Sequence, residues 1–129
     1  MINQKVIQVG KIFSLMVLSL GLIHDIATFT PLIQDGLSLI SASDRSAMIY
    51  FSLMCGTSLV LSGLLLFLML NKINQIHFLR GPMLIIGIFL ALSGFASVFY
   101  MLENPFAWMA LFINFTMFAI VLRINFKKP

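Results

Sequence analysis

Four runs of this chain, at about residues 7–29, 46–70, 81–102 and 105–123, stay apolar over the length that a helix needs to cross a membrane. About 20 such residues span the ~30 Å hydrocarbon core of a bilayer. Lipid offers no partners for backbone N–H and C=O groups, so each crossing segment must close its own hydrogen bonds as a helix. The expectation is an all-α, integral membrane four-helix bundle, with residues 1–129 forming a single transmembrane domain. Short connections make sequential spans antiparallel, up-down neighbours.

Composition agrees. The chain is 60% hydrophobic and 9% charged, whereas a soluble domain carries roughly 25% charged residues. A pI near 9.7 would suggest nucleic acid in a soluble chain. Here the cations are read as a topology signal, and no nucleic-acid partner is expected. With four spans, Lys5, Lys11, Lys72, Arg80, Arg123, Lys127 and Lys128 share one side, and only Arg45 lies on the other. The positive-inside rule then places both termini in the cytoplasm, with the bacterial inner (plasma) membrane as the expected location. The N-terminal apolar run is long for a signal peptide and lacks an A-x-A-like site, so a retained span is expected.

The punctuation supports this division. In "MLENPFAW", Asn104 can cap the fourth span, with Pro105 as its first helical residue. Pro82 suits the first turn of the third span, and Ser43 or Asp44 is predicted to cap the second. The segment "TPLIQDGLSLISAS" is too short to cross. Its Leu32, Ile33, Leu37 and Ile40 recur at near-helical spacing opposite Gln34, Asp35 and Ser38, which predicts a short helix along the membrane surface.

Small residues mark the packing faces. Gly10, Ser14, Gly21, Asp25 and Thr28 share one face of the first span; Ser52, Gly56 and Gly63 align in the second; Gly87, Ala91, Gly94 and Ser97 align in the third. Helices in lipid associate through such faces. Phe106, Phe112, Phe115 and Phe118 give the fourth span bulk, and some of them must face lipid or a partner. The lone Cys55 permits no intrachain disulfide and is expected to be a core residue.

The expensive residues gather toward the outer side. Intramembrane ionisable groups usually face the bundle interior and mark functional sites. His24 and Asp25 sit about five residues before the end of the first span, roughly 8 Å below its boundary at 1.5 Å per residue. Side chains adjacent in a helix point about 100° apart, so the two cannot form a dyad alone. Tyr50, Tyr100, Glu103, Asn114 and Trp108 could converge on them, and Arg45 is the natural ion partner for Asp25, Asp44 or Glu103. Tyr50, Tyr100 and Trp108 also fit an interfacial aromatic belt. Asn114 lies near the midplane, where an unpaired amide is costly. Its "NFT" matches a glycosylation sequon, which cannot serve inside a bilayer. His24, Asp25, Tyr50, Glu103 and Asn114 are expected to line one cavity open to the outer leaflet, with Asn114 as its floor.

His77 falls in a cytoplasmic loop, so the membrane holds one histidine per chain. Two-histidine haem ligation within one monomer is thereby excluded, and no metal site or cofactor is implied. No G-x-S-x-G elbow, Ser-His-Asp spacing or phosphate-binding glycine loop appears, so no catalytic residue is assigned. Three readings follow. The chain binds or passes a small or lipid-like ligand through the polar pocket; or it is an accessory or assembly subunit of a larger membrane complex; or it is an enzyme using His24 or Asp25 as acid–base on a lipid-soluble substrate. A homo-oligomer or a larger membrane complex is the expected protein partner.

Overall fold

The computed structural model describes residues 2–126, which form five α-helices and one 3-10 turn, with no strand among them. Lys127 and Lys128, counted above among the cations, lie outside the described residues, as does the side chain of Leu32. Helix α1 (Gln4–Thr28) opens on Asn3, whose Oδ1 accepts from the Lys5 N–H at 2.9 Å. Helix α2 (Pro31–Leu37) starts with a proline, where the missing N–H is not needed. Helix α3 (Ala42–Lys72) begins one turn earlier than the apolar run.

The cap of α3 is neither Ser43 nor Asp44 but Ser41. Its Oγ accepts from the Asp44 N–H at 3.2 Å and donates to Asp44 Oδ2 at 2.7 Å. Asp44, three residues on, thus meets the Ser41 hydroxyl through both its N–H and its carboxylate, which makes Ser41 the better cap. A 3-10 turn (His77–Leu79) leads into α4 (Arg80–Tyr100), with Pro82 in its first turn. Helix α5 (Pro105–Phe126) starts as its sequence predicts, with Asn104 Oδ1 accepting from the Phe106 N–H at 2.9 Å.

Four helical stretches, α1, α3, α4 with its preceding turn, and α5, are long and apolar enough to cross a membrane. They associate as two pairs. Helix α1 packs along α3, and α4 along α5; the pairs meet through α1 against α5 and, more sparsely, α3 against α4. The α1–α3 seam is backbone on backbone. A Cβ added at Gly63 would lie 2.6 Å from Ser14 O, and one at Gly21 would lie 2.7 Å from Val60 N. Only hydrogen side chains allow that approach of one helix backbone to another.

The pairs enclose an apolar core of Val17, Leu20, Leu66, Met83, Leu90, Met117 and Val121, all buried. At one end the core closes on Ile2, Leu70, Ile73 and Ile124. There the Ile2 N–H donates to Asn74 Oδ1 at 3.0 Å, tying the N-terminus to the α3–α4 connection. At the other end the pairs part around a cavity. The outer surface is oily, with Ile85 70% and Phe99 77% exposed. Cys55, expected in the core, is exposed instead and borders this cavity, because Gly56 takes the packed position beside it.

Candidate ligand cavity between the helix pairs

His24 stands one turn before the end of α1 and is half-buried. Its Nε2 lies 3.2 Å from Ser52 Oγ on α3, and Ser52 Oγ lies 2.6 Å from Thr28 Oγ1. Thr28 in turn donates to the His24 carbonyl at 3.0 Å. This arrangement follows from the helix repeat: residues 24 and 28 lie one above the other on α1, and Ser52 meets both from α3. The imidazole stacks on Phe106 of α5, with ring centroids 6.5 Å apart and planes at 26°. Its position is therefore fixed from both helix pairs.

The ring borders a cavity of about 280 Å³. Tyr100, Met101 and Phe106 line it near the end of the bundle, and Leu59, Ala110 and Asn114 line it further in. Small side chains create the space. Ser93, Ala96 and Ser97 on α4 and Ala107 and Ala110 on α5 leave the gap between pairs unfilled. Ser97 Oγ is itself satisfied by the Gly94 carbonyl at 2.8 Å. Asn114 is not. Its side chain is 1% exposed, its Oδ1 is buried, and that oxygen has no hydrogen-bond partner among the described residues.

Of the five residues expected on one cavity, His24 and Asn114 line it. Asp25, Tyr50 and Glu103 do not. Asp25 points into the α1–α3 seam, where Thr57 Oγ1 donates to its Oδ2 at 3.4 Å and its Oδ1 is buried beside Gly56 without a partner. The 100° step between adjacent residues sends His24 to the space between pairs and Asp25 to the seam within one pair. Tyr50 is exposed, edge-on to Phe51 at 5.7 Å. Glu103 is exposed in the α4–α5 connection. Trp108 is exposed on the outward face of α5, with Nε1 donating to Leu102 O at 2.9 Å.

Arg45 does not serve as the ion partner expected of it. Its Nε donates to Leu37 O at 3.0 Å and a terminal nitrogen donates to Ser38 O at 3.2 Å, which satisfies carbonyls at the end of α2. Gln34 likewise turns inward, donating to Thr28 O at 2.6 Å, rather than facing away with Asp35. Sequence reasoning missed the Ser52–Thr28 relay and the Phe106 stack. The facing small residues of α4 and α5 were the available signal for the cavity.

Among the described residues, no three His, Cys, Asp or Glu side chains converge as a metal site would require. The polar groups at the cavity are suited to hydrogen bonding. Fold and site together define an all-helical bundle of four long apolar helices, with an interior cavity between two helix pairs. Set against protein-family models, curated proteins and solved structures, the chain matches none of them.

Proposed function

We propose that this is a small polytopic membrane protein that binds a small or lipid-like ligand in the cavity between its helix pairs. The observation that carries this reading is Asn114, a buried amide on the cavity wall whose Oδ1 has no partner. Leaving such a group unpaired costs on the order of 1–3 kcal/mol. Polar groups kept inside a membrane at such cost mark ligand or ion pathways. A ligand that pairs with the amide recovers the cost on binding.

In this reading the four long helices are up-down spans with both termini cytoplasmic. Lys5, Lys11, Lys72, Arg80 and Arg123 then face the cytoplasm, and the cavity lies toward the outer leaflet of a bacterial plasma membrane. Exposed residues such as Ile85 and Phe99 meet lipid, which removes any need for a protein partner to cover them. The enzyme reading is weaker. Ser52, the hydroxyl bonded to His24, is held by Thr28 and does not line the cavity, and Asp25 bonds Thr57 rather than the imidazole.

A native mass spectrum of the protein extracted in mild detergent tests the proposal. The expected result is a monomer or small oligomer carrying a small-molecule adduct, which Ala110→Phe displaces by filling the cavity. An adduct-free protein that leaves the membrane only within a larger complex would favour the accessory-subunit reading instead.

A further inference from the structure

The proton count around His24 and the charge count around the cavity restrict what the ligand can be. Resting on the binding reading above, we infer that it is a neutral, apolar molecule bearing a hydroxyl group, a lipid-soluble alcohol or phenol whose hydroxyl pairs with His24 or Asn114.

Charge comes first. The lining includes His24, Ser93, Ser97, Tyr100 and Asn114 but no Asp, Glu, Lys or Arg. An ionic head group would leave water with no Asp, Glu, Lys or Arg to meet it, and a neutral imidazole at His24 supplies no counter-charge, which makes such a head group costly here. Asp25, the nearest acid in sequence, is turned into the α1–α3 seam.

Protons come next. A carbonyl oxygen only accepts, so the single Thr28 hydroxyl proton goes to His24 O. The contact between Ser52 Oγ and Thr28 Oγ1 then uses the Ser52 proton. The remaining contact, His24 Nε2 to Ser52 Oγ, must be donated by the ring. In a neutral imidazole this places the proton on Nε2 and leaves Nδ1 an acceptor. No described residue pairs with Nδ1. On the cavity wall, Asn114 Oδ1 is the buried side-chain atom without a partner among the described residues, and it too is an acceptor. Ketones, ethers and esters only accept, and would leave Nδ1 unmet. A hydroxyl donates its one proton to Nδ1 or to the unpartnered Asn114 Oδ1, which an ether or ketone can do for neither.

Size and shape complete the fit. About 280 Å³ falls just below the roughly 300–1,000 Å³ of ordinary small-molecule pockets. That admits one ring with a short chain and excludes a two-chain phospholipid. Phe106, stacked on His24, supplies a flat apolar wall beside the acceptor.

The test titrates the full-length protein in mild detergent with three probes: para-hexylphenol, its methyl ether para-hexylanisole, and para-hexylbenzoate. A diazirine-bearing analogue of the phenol maps the site by cross-linking. The phenol is expected to bind at least about tenfold tighter than the ether, because the ether leaves a buried acceptor unpaired. The benzoate is expected not to bind, and His24→Phe is expected to narrow the gap between phenol and ether by removing one of the two acceptors. Asn114→Leu, which replaces an unpaired amide with an apolar group, should weaken the phenol more than the ether. Equal affinity for phenol and ether in the wild type, with cross-links at residues 55–59 or 107–114, would overturn the hydroxyl assignment and leave the binding reading standing. Preferential binding of the benzoate would overturn neutrality. Absence of cross-links from the cavity residues would overturn both readings together.

Discussion

Gly56 of α3 lies directly against the Asp25 carboxylate of α1, so closely that a Cβ at position 56 would overlap Asp25 Oδ1. The same Cβ would come within 2.9 Å of the Gly21 carbonyl oxygen. An acid and a glycine thus share one seat on the α1–α3 seam, and neither can change size without moving a helix. Gly56→Ala is expected to destabilise the protein by about 1–3 kcal/mol, the usual cost of overpacking. Gly36→Ala in α2, where an added Cβ meets nothing within 4 Å, is expected to leave stability unchanged or slightly raised. Thermal unfolding of both variants in one detergent checks the contrast.

Asn114→Leu is expected to stabilise the empty protein by about 1–3 kcal/mol, since it removes a buried amide with an unpartnered Oδ1. The same change is expected to weaken retention of the ligand. Unfolding midpoints read the first effect and native mass spectra the second. A destabilised Asn114→Leu would mean that the amide has a protein partner in the membrane.

The His24–Ser52–Thr28 relay joins α1 to α3 through side chains alone. Interhelical hydrogen bonds inside membranes average about 0.6 kcal/mol, with about 1.7 as an upper value. A double-mutant cycle of Ser52→Ala with Thr28→Val should return a coupling energy in that range. A coupling near zero would show that the hydroxyls pair elsewhere.

Asp25 does not line the cavity, so its substitution should leave the ligand alone. Asp25→Asn is expected to change ligand affinity by no more than about fivefold, since Asp25 bonds Thr57 in the seam and reaches the cavity only through its neighbours. A loss of an order of magnitude would return Asp25 to the binding site.

Orientation has its own check. In a Cys55→Ala background, a cysteine placed at Ser38 should react with a membrane-impermeant thiol reagent added outside intact cells, and one at Gln75 should not. The opposite pattern would invert the protein in its membrane.

The number of long helices, their approximate ends, the Asn104–Pro105 start of α5 and the small-residue stripe of α1 are legible in the sequence. Each depends on contacts within one turn of helix or on the apolar length that a bilayer demands. Residues 24, 25 and 114 are legible as costly for the same reason: polarity at that depth needs no partner to be recognised. What the sequence leaves open is rotation about each helix axis. Tertiary structure alone decided that His24 turns to the gap between pairs while Asp25 turns to Gly56, that Arg45 caps α2 rather than meeting an acid, and that Cys55 borders the cavity rather than packing in the core. A helix that is apolar nearly all round has little intrinsic preference for one face, and lipid, as apolar as the core, does not impose one. Close approach of glycines on neighbouring helices sets the rotation instead, and that fit exists only once the helices have met.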